Sequence, residues 1–158
     1  MRHTPAGLTL VGADVLRVPA KLDLPGRLGA IRGALDRLIA DLRPAVVVIE
    51  EAFASRNPQS ALRIGEGRGV VIACAAVAGC VVWQYPPAVP KKALVGNGAA
   101  HKSQVASMVA RLLGLAEPPR PLDATDALSL ALTHALRCKG VARKAPAPAS
   151  ARVARTLQ

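Results

Sequence analysis

The sequence predicts an α/β domain in which a mixed central β-sheet is flanked by helices, and three observations carry that prediction. Two β-branched runs, AVVVI at 45–49 and CVVWQY at 80–85, each follow a helical segment. Continuous apolar strands of this kind are covered on both faces, as in a parallel or mixed sheet. The longer segments between and after them repeat apolar residues at helical spacing, the alternation expected of layered α/β domains. Hydrophobic residues make up 51% of the 158-residue chain but aromatics only 2%, so the core has to be assembled from Ala, Val, Leu and Ile. That length suffices for one domain with a core of its own.

Taken in order, residues 8–19 (LTLVGADVLRVP) read as two short strands or a hairpin, with Gly12 as turn or bulge. Asp23 caps a helix over 25–42, with Pro25 in its first turn, and Leu28, Ile31, Leu35, Leu38, Ile39 and Leu42 recur at helical spacing. Pro44 closes it and the strand 45–49 follows, stopping at Glu50-Glu51. Asn57-Pro58 opens a second helix that continues to Ala78. Gly65, Gly67 and Gly69 cost that helix about 1 kcal/mol each against alanine, acceptable where another backbone packs closely. After the strand 80–85, prolines punctuate a loop, a short helix covers 90–95, and Gly96-Asn97-Gly98 turns the chain. A helix over 101–114 carries Val105, Met108, Val109 and Leu112, and a last one over 122–137 carries Leu128, Leu132 and Leu136. A single domain is expected over 1–137. Residues 138–158, basic and rich in Ala and Pro, lack the apolar content to fold and are expected to form a disordered tail.

Composition narrows the function. Nothing resembles a membrane span or a signal peptide. Cys74, Cys80 and Cys138 have neither zinc spacing nor an even count, which predicts reduced thiols and a cytoplasmic location. The formal charge is +11, and the residues before Arg137, with 15 basic and 10 acidic side chains, still stand at +5. A basic folded region has nucleic acid as its first candidate partner. Phosphate-loop, zinc-protease and serine-hydrolase motifs are absent, which argues against kinase and hydrolase readings of those types.

The remaining candidates each admit two readings. Glu50, at the end of a buried strand, stands where α/β folds place ligand and catalytic groups, or is a solvated strand end. Asp123 and Asp126 share one helix face, where they either meet the helix dipole or hold a hard cation together. Lys91 and Lys102 fall at or near helix starts, a position that favours a cation only if an anion such as a phosphate shares the site. Phe53, the single phenylalanine, lies on the loop past Glu50, free to stack on an unpaired base or to staple the next helix. His101 borders Lys102 and could help hold a phosphate, and His134 is a packed or surface histidine.

Their order is more specific than any one of them. The segment VVIEEAFASRNPQSALRIGEGRGV from Val47 to Val70 resembles the second catalytic segment of the RuvC family of Holliday-junction nucleases. VPKKALVGNGAAHKSQVASMV resembles the lysine-bearing region of that family, and DATDALSLALTHAL resembles its terminal Asp-x-x-Asp helix. The resemblance spans residues 8–137. It implies a ribonuclease H-like fold and a crossover junction endodeoxyribonuclease that resolves four-way DNA junctions by metal-dependent phosphodiester hydrolysis in recombination and repair. It implies that Glu50, Asp123 and Asp126 bind Mg²⁺ or Mn²⁺, two ions together, with Lys102 acting in catalysis. It further implies that Phe53, Arg56, Lys91 and Lys102 contact DNA, that the enzyme is a homodimer, and that it works with a branch-migration helicase. The pattern departs at the amino terminus: the family begins with a strand carrying an aspartate in an Asp-Pro-Gly context, and nothing like it precedes Leu8. The expectation is a domain lacking that strand and one metal ligand, with a non-catalytic junction-binding remnant as the alternative function.

Overall fold

The computed structural model describes residues 1–4, 7–51 and 57–138. Its elements run β1 (Arg2–Thr4), β2 (Gly7–Thr9), α1 (Leu24–Leu42), β3 (Val46–Glu50), α2 (Pro58–Val77), β4 (Val81–Tyr85), α3 (Ala88–Val95), α4 (Lys102–Leu113) and α5 (Leu122–Arg137). The mixed α/β character holds, and parallel and antiparallel pairings both occur. Among the described residues, however, they lie in two separate two-stranded sheets. β1 and β2 pair antiparallel, with Arg2 opposite Thr9 and Thr4 opposite Gly7. β3 and β4 pair in parallel: Val81 N–H donates to Ala45 O at the start of both strands, and Glu51 N–H donates to Tyr85 O at their end, each at 2.9 Å.

Two differences from expectation have plain causes. The hairpin lies at the amino terminus, and residues 10–19 are neither strand nor helix. Alternating side chains make a strand only where a neighbouring backbone accepts its hydrogen bonds, and Val11 and Leu16 are both exposed. β1 therefore precedes Leu8, but its residues Arg2, His3 and Thr4 include no carboxylate. In β3, Val46 to Ile49 are half-buried rather than covered on both faces, because a strand with one neighbour keeps an open edge.

Contacts group the chain into two compact units. One takes in Met1–Val15, Val48–Glu51 and the described residues from Gln84 to Cys138. Its core is built by Leu94 of α3, Ala100, Val105 and Val109 of α4, and Leu128 and Leu132 of α5, with Met1, Leu8 and Leu10 of the hairpin segment packed against it. Val109 and Leu132 are sealed from solvent, each burial of this kind contributing about 1.5–3 kcal/mol.

The other unit holds Leu16–Val47 and the described residues up to Trp83. There α1 packs on α2. α1 starts where expected, because the Asp23 carboxylate accepts from Gly26 N–H at 2.9 Å. A Cβ at residue 26 would stand 2.7 Å from that carboxylate oxygen, so a larger residue there would push the capping side chain aside. The helix ends at Arg43, in the left-handed region at φ 44°, whose N–H returns to Ile39 O. α2 starts at Asn57, whose side chain accepts from Gln59 and Ser60 N–H. Small residues carry the buried contacts, Ala34 on α1 and Cys74 and Ala75 on α2. Among the described residues no neighbour approaches Gly65, Gly67 or Gly69 within 4 Å of an added Cβ. Among the described residues no helix is long and apolar enough to cross a membrane.

Candidate active site

The site grows out of the first unit. Glu50 is the last residue of β3 and is exposed there. Asp123 and Asp126 lie in the opening turns of α5, which starts after Pro121. Lys102 is the first residue of α4. It stands there because His101 is the cap: its ring nitrogen accepts from Ser103 N–H, while Gln104 accepts from His101 N–H at 3.0 Å. This reciprocal capping box engages Nδ1 of the His101 ring. The His101-x-x-Gln104 spacing was the available signal.

A cavity of about 180 Å³ gathers Glu50, Asp126, Lys102, Lys91 and Ser129 on its wall. Pro87, Pro90, Val105 and Leu130 complete its lining with apolar side chains. Lys91 reaches it from the second turn of α3 rather than from a helix start, since α3 begins at Ala88 and takes Pro90 into its first turn. Proline is tolerated there because first-turn N–H groups have no partner within the helix. Ser129 was not foreseen; it is buried, one turn beyond Asp126, and its hydroxyl donates to Asp126 O at 2.7 Å.

The electrostatics centre on one contact. Lys102 Nζ donates to Asp126 Oδ2 at 3.1 Å, with both side chains about half exposed. The lysine is held above its ordinary value, first by that hydrogen bond, then by the charge of Asp126, with smaller effects from Asp123 and Glu50. All three predicted carboxylates thus bear on one cationic point, although Asp123 is not part of the cavity wall. Among the described residues no group of three His, Cys, Asp or Glu side chains is arranged to hold a metal ion. The donor set nonetheless suits one: carboxylate oxygens are the ligands of hard divalent cations, and an ammonium already drawn to them marks where positive charge is favoured. Phe53 and Arg56 lie outside the described residues.

Behind α5 is a pair that sequence reasoning did not find. Tyr85, at the end of β4, meets His134 Nδ1 through its hydroxyl at 3.0 Å, and both are buried. Burial pushes the histidine below its ordinary value. The Arg137 guanidinium lies 5.6 Å from the centre of the tyrosine ring, a cation–π distance.

Residues 1–134 match the family model described as crossover junction endodeoxyribonuclease RuvC. The chain belongs to the RuvC family. Curated RuvC proteins are similar over most of its length. That of Solidesulfovibrio magneticus is 46% identical over 134 residues, which are 85% of this chain and 79% of the relative. That of Rhodococcus opacus is 44% identical over 144 residues, 91% of this chain and 76% of the relative. Among solved structures, Thermus thermophilus RuvC superposes with a TM-score of 0.76 at 37% identity, covering 83% of this chain and 79% of its own. The same protein in complex with Holliday junction substrate gives a TM-score of 0.76 at 34% identity, covering 83% of this chain and 80% of that one. The expected ribonuclease H-like fold is therefore the fold of the chain, and its family is one of metal-dependent DNA endonucleases.

Proposed function

We propose that this chain resolves four-way DNA junctions, with Glu50, Asp123 and Asp126 as metal-binding carboxylates and Lys91 and Lys102 as phosphate contacts. The observation that supports it most is the shared cavity. Glu50 and Asp126, far apart in sequence, reach the same small space as two lysines, pairing oxygen donors for a cation with cationic groups for a phosphodiester. Mg²⁺ or Mn²⁺, two ions in this reading, would supply a metal-activated water and stabilise the leaving oxygen. The chain's own groups do the rest. Glu50 and Asp126 offer carboxylate oxygens on the cavity wall. Lys91 and Lys102 hold the backbone phosphate, beside the apolar side chains of Pro87, Val105 and Leu130 that share the lining. Phe53 and Arg56 would meet the DNA near the crossover. Two like-polarity strands cut symmetrically suit a homodimer, working beside a branch-migration helicase in the cytoplasm.

The test is cleavage of a synthetic four-way junction in Mg²⁺, in competition with linear duplex of the same sequence. Preferential junction cutting is expected. Glu50→Gln should lower it by more than about 100-fold, beyond what loss of an outer-shell partner costs. Activity unchanged in Glu50→Gln would remove the assigned site, and equal cutting of linear duplex would remove the junction specificity. Tight junction binding without cutting would favour the remnant reading.

A further inference from the structure

We propose that Lys102 is the resident counter-ion of the acidic site, and that a phosphate draws it off Asp126, so that DNA and metal each strengthen the binding of the other. The proposal rests on the metal-ligand reading above. Its starting point is the 3.1 Å contact between Lys102 Nζ and Asp126 Oδ2. Asp126 lines the cavity that Glu50 also lines. A divalent ion on Asp126 and an ammonium on the same oxygen repel each other, so one has to yield.

Three features let the lysine yield. The pair is about half exposed at both ends, and exposed ion pairs hold weakly. The ammonium sits on a flexible four-carbon stem rooted at the first position of α4. At that position the helix dipole disfavours a cation unless an anion is close. In the free protein the anion is Asp126. On DNA it would be a phosphate, which Lys91, on the same cavity wall, helps to hold. A lysine moved from Asp126 to phosphate frees one carboxylate oxygen for the metal, and linkage makes the effect reciprocal. Lys102 is thus a positioning residue for the metal as well as a phosphate contact.

The test is calorimetric titration of the full chain with Mn²⁺, in chloride and in sulfate at equal ionic strength, sulfate serving as a soluble tetrahedral dianion. Lys102→Met, which keeps the stem and removes the charge, should bind Mn²⁺ about two- to fivefold more tightly than the parent in chloride. Lys102→Arg, which keeps the charge, should behave like the parent. Sulfate should tighten Mn²⁺ binding by the parent and leave Lys102→Met unmoved. Glu50→Gln should weaken binding in every buffer. If Glu50→Gln weakens binding while Lys102→Met binds no more tightly than the parent, the counter-ion role fails and the metal site stands. If sulfate has no effect on the parent, the coupling fails. If Glu50→Gln binds like the parent, Mn²⁺ is not at this site and both readings fall.

Discussion

The α4–α5 pair and the α1–α2 pair are built from the same residue types and pack in different ways. α5 buries eight of its sixteen residues, Leu128, Leu130 and Leu132 among them. α1, with nineteen, buries only Ala34, and α2, with twenty, only Cys74 and Ala75. On these two helices large apolar side chains stay outside: Leu62 is 65% exposed and Val77 82%. Alanine content alone does not create a core. Where leucine and valine recur on one face and a second helix meets that face, as with Val109 and Leu132, burial is complete. Where small residues make the contact, the helices meet and the large side chains beside the contact stay in solvent. The acidic site is attached to the first kind of packing.

The comparison can be broken most sharply by truncating each side. Leu132→Ala should lower unfolding stability by about 2–5 kcal/mol through lost burial and the cavity it leaves. Leu62→Ala should change it by no more than about 0.5 kcal/mol. Denaturant midpoints at constant slope would measure both, and comparable losses would mean that α1 and α2 are better sealed in solution than their exposures indicate.

The second prediction concerns the buried pair behind α5. His134 is held below its ordinary value of 6.5 by burial, so the unfolded chain binds a proton that the folded one resists. Stability from this group is fully present above about pH 6.5 and is lost as the pH falls toward the depressed native value, at no more than about 1.4 kcal/mol per pH unit. Melting temperatures between pH 7.5 and 5.5 should show the fall, and His134→Phe should flatten it. A slope that persists in the variant would assign it to other groups.

The smallest effect tests the α1–α2 side again. Asp23→Ala should cost about 1 kcal/mol, the usual weight of a helix cap. A loss well above 2 kcal/mol in chemical denaturation would show that the start of α1 depends on more than the bond to Gly26.

These results also mark where the sequence was legible. Asp23, Asn57 and Pro58 announce the helix starts because capping is local chemistry, read within four residues. β3 and β4 were legible from their valines, but their half-burial was not, since burial depends on how many neighbours a strand has. The run from Leu10 to Pro19 alternates like a strand and remains irregular for the same reason. Pro90 pointed to a helix start two residues late, because proline is equally acceptable at several first-turn positions. In the site, the residue types of Glu50, Asp126 and Lys102 were visible, but only the likeness to a known family placed them together, and their common cavity depends on the tertiary arrangement. The pairing of Tyr85 with His134 gave no signal, although His134 itself was legible as a packed or surface residue of its helix. A tyrosine ending a strand and a histidine inside a helix are ordinary until packing aligns the hydroxyl with the ring nitrogen.

The burial of α5 has a consequence for genetics. The helix that presents Asp123 and Asp126 at its amino end is the one whose later turns seal Leu128, Leu132 and His134. A screen that scores only recombination or repair will therefore return many α5 alleles, most of them through scarcity of folded protein rather than through chemistry. Separating the two needs a parallel measure of protein abundance. Alleles that keep normal abundance and lose function should then cluster on the exposed positions of its first two turns.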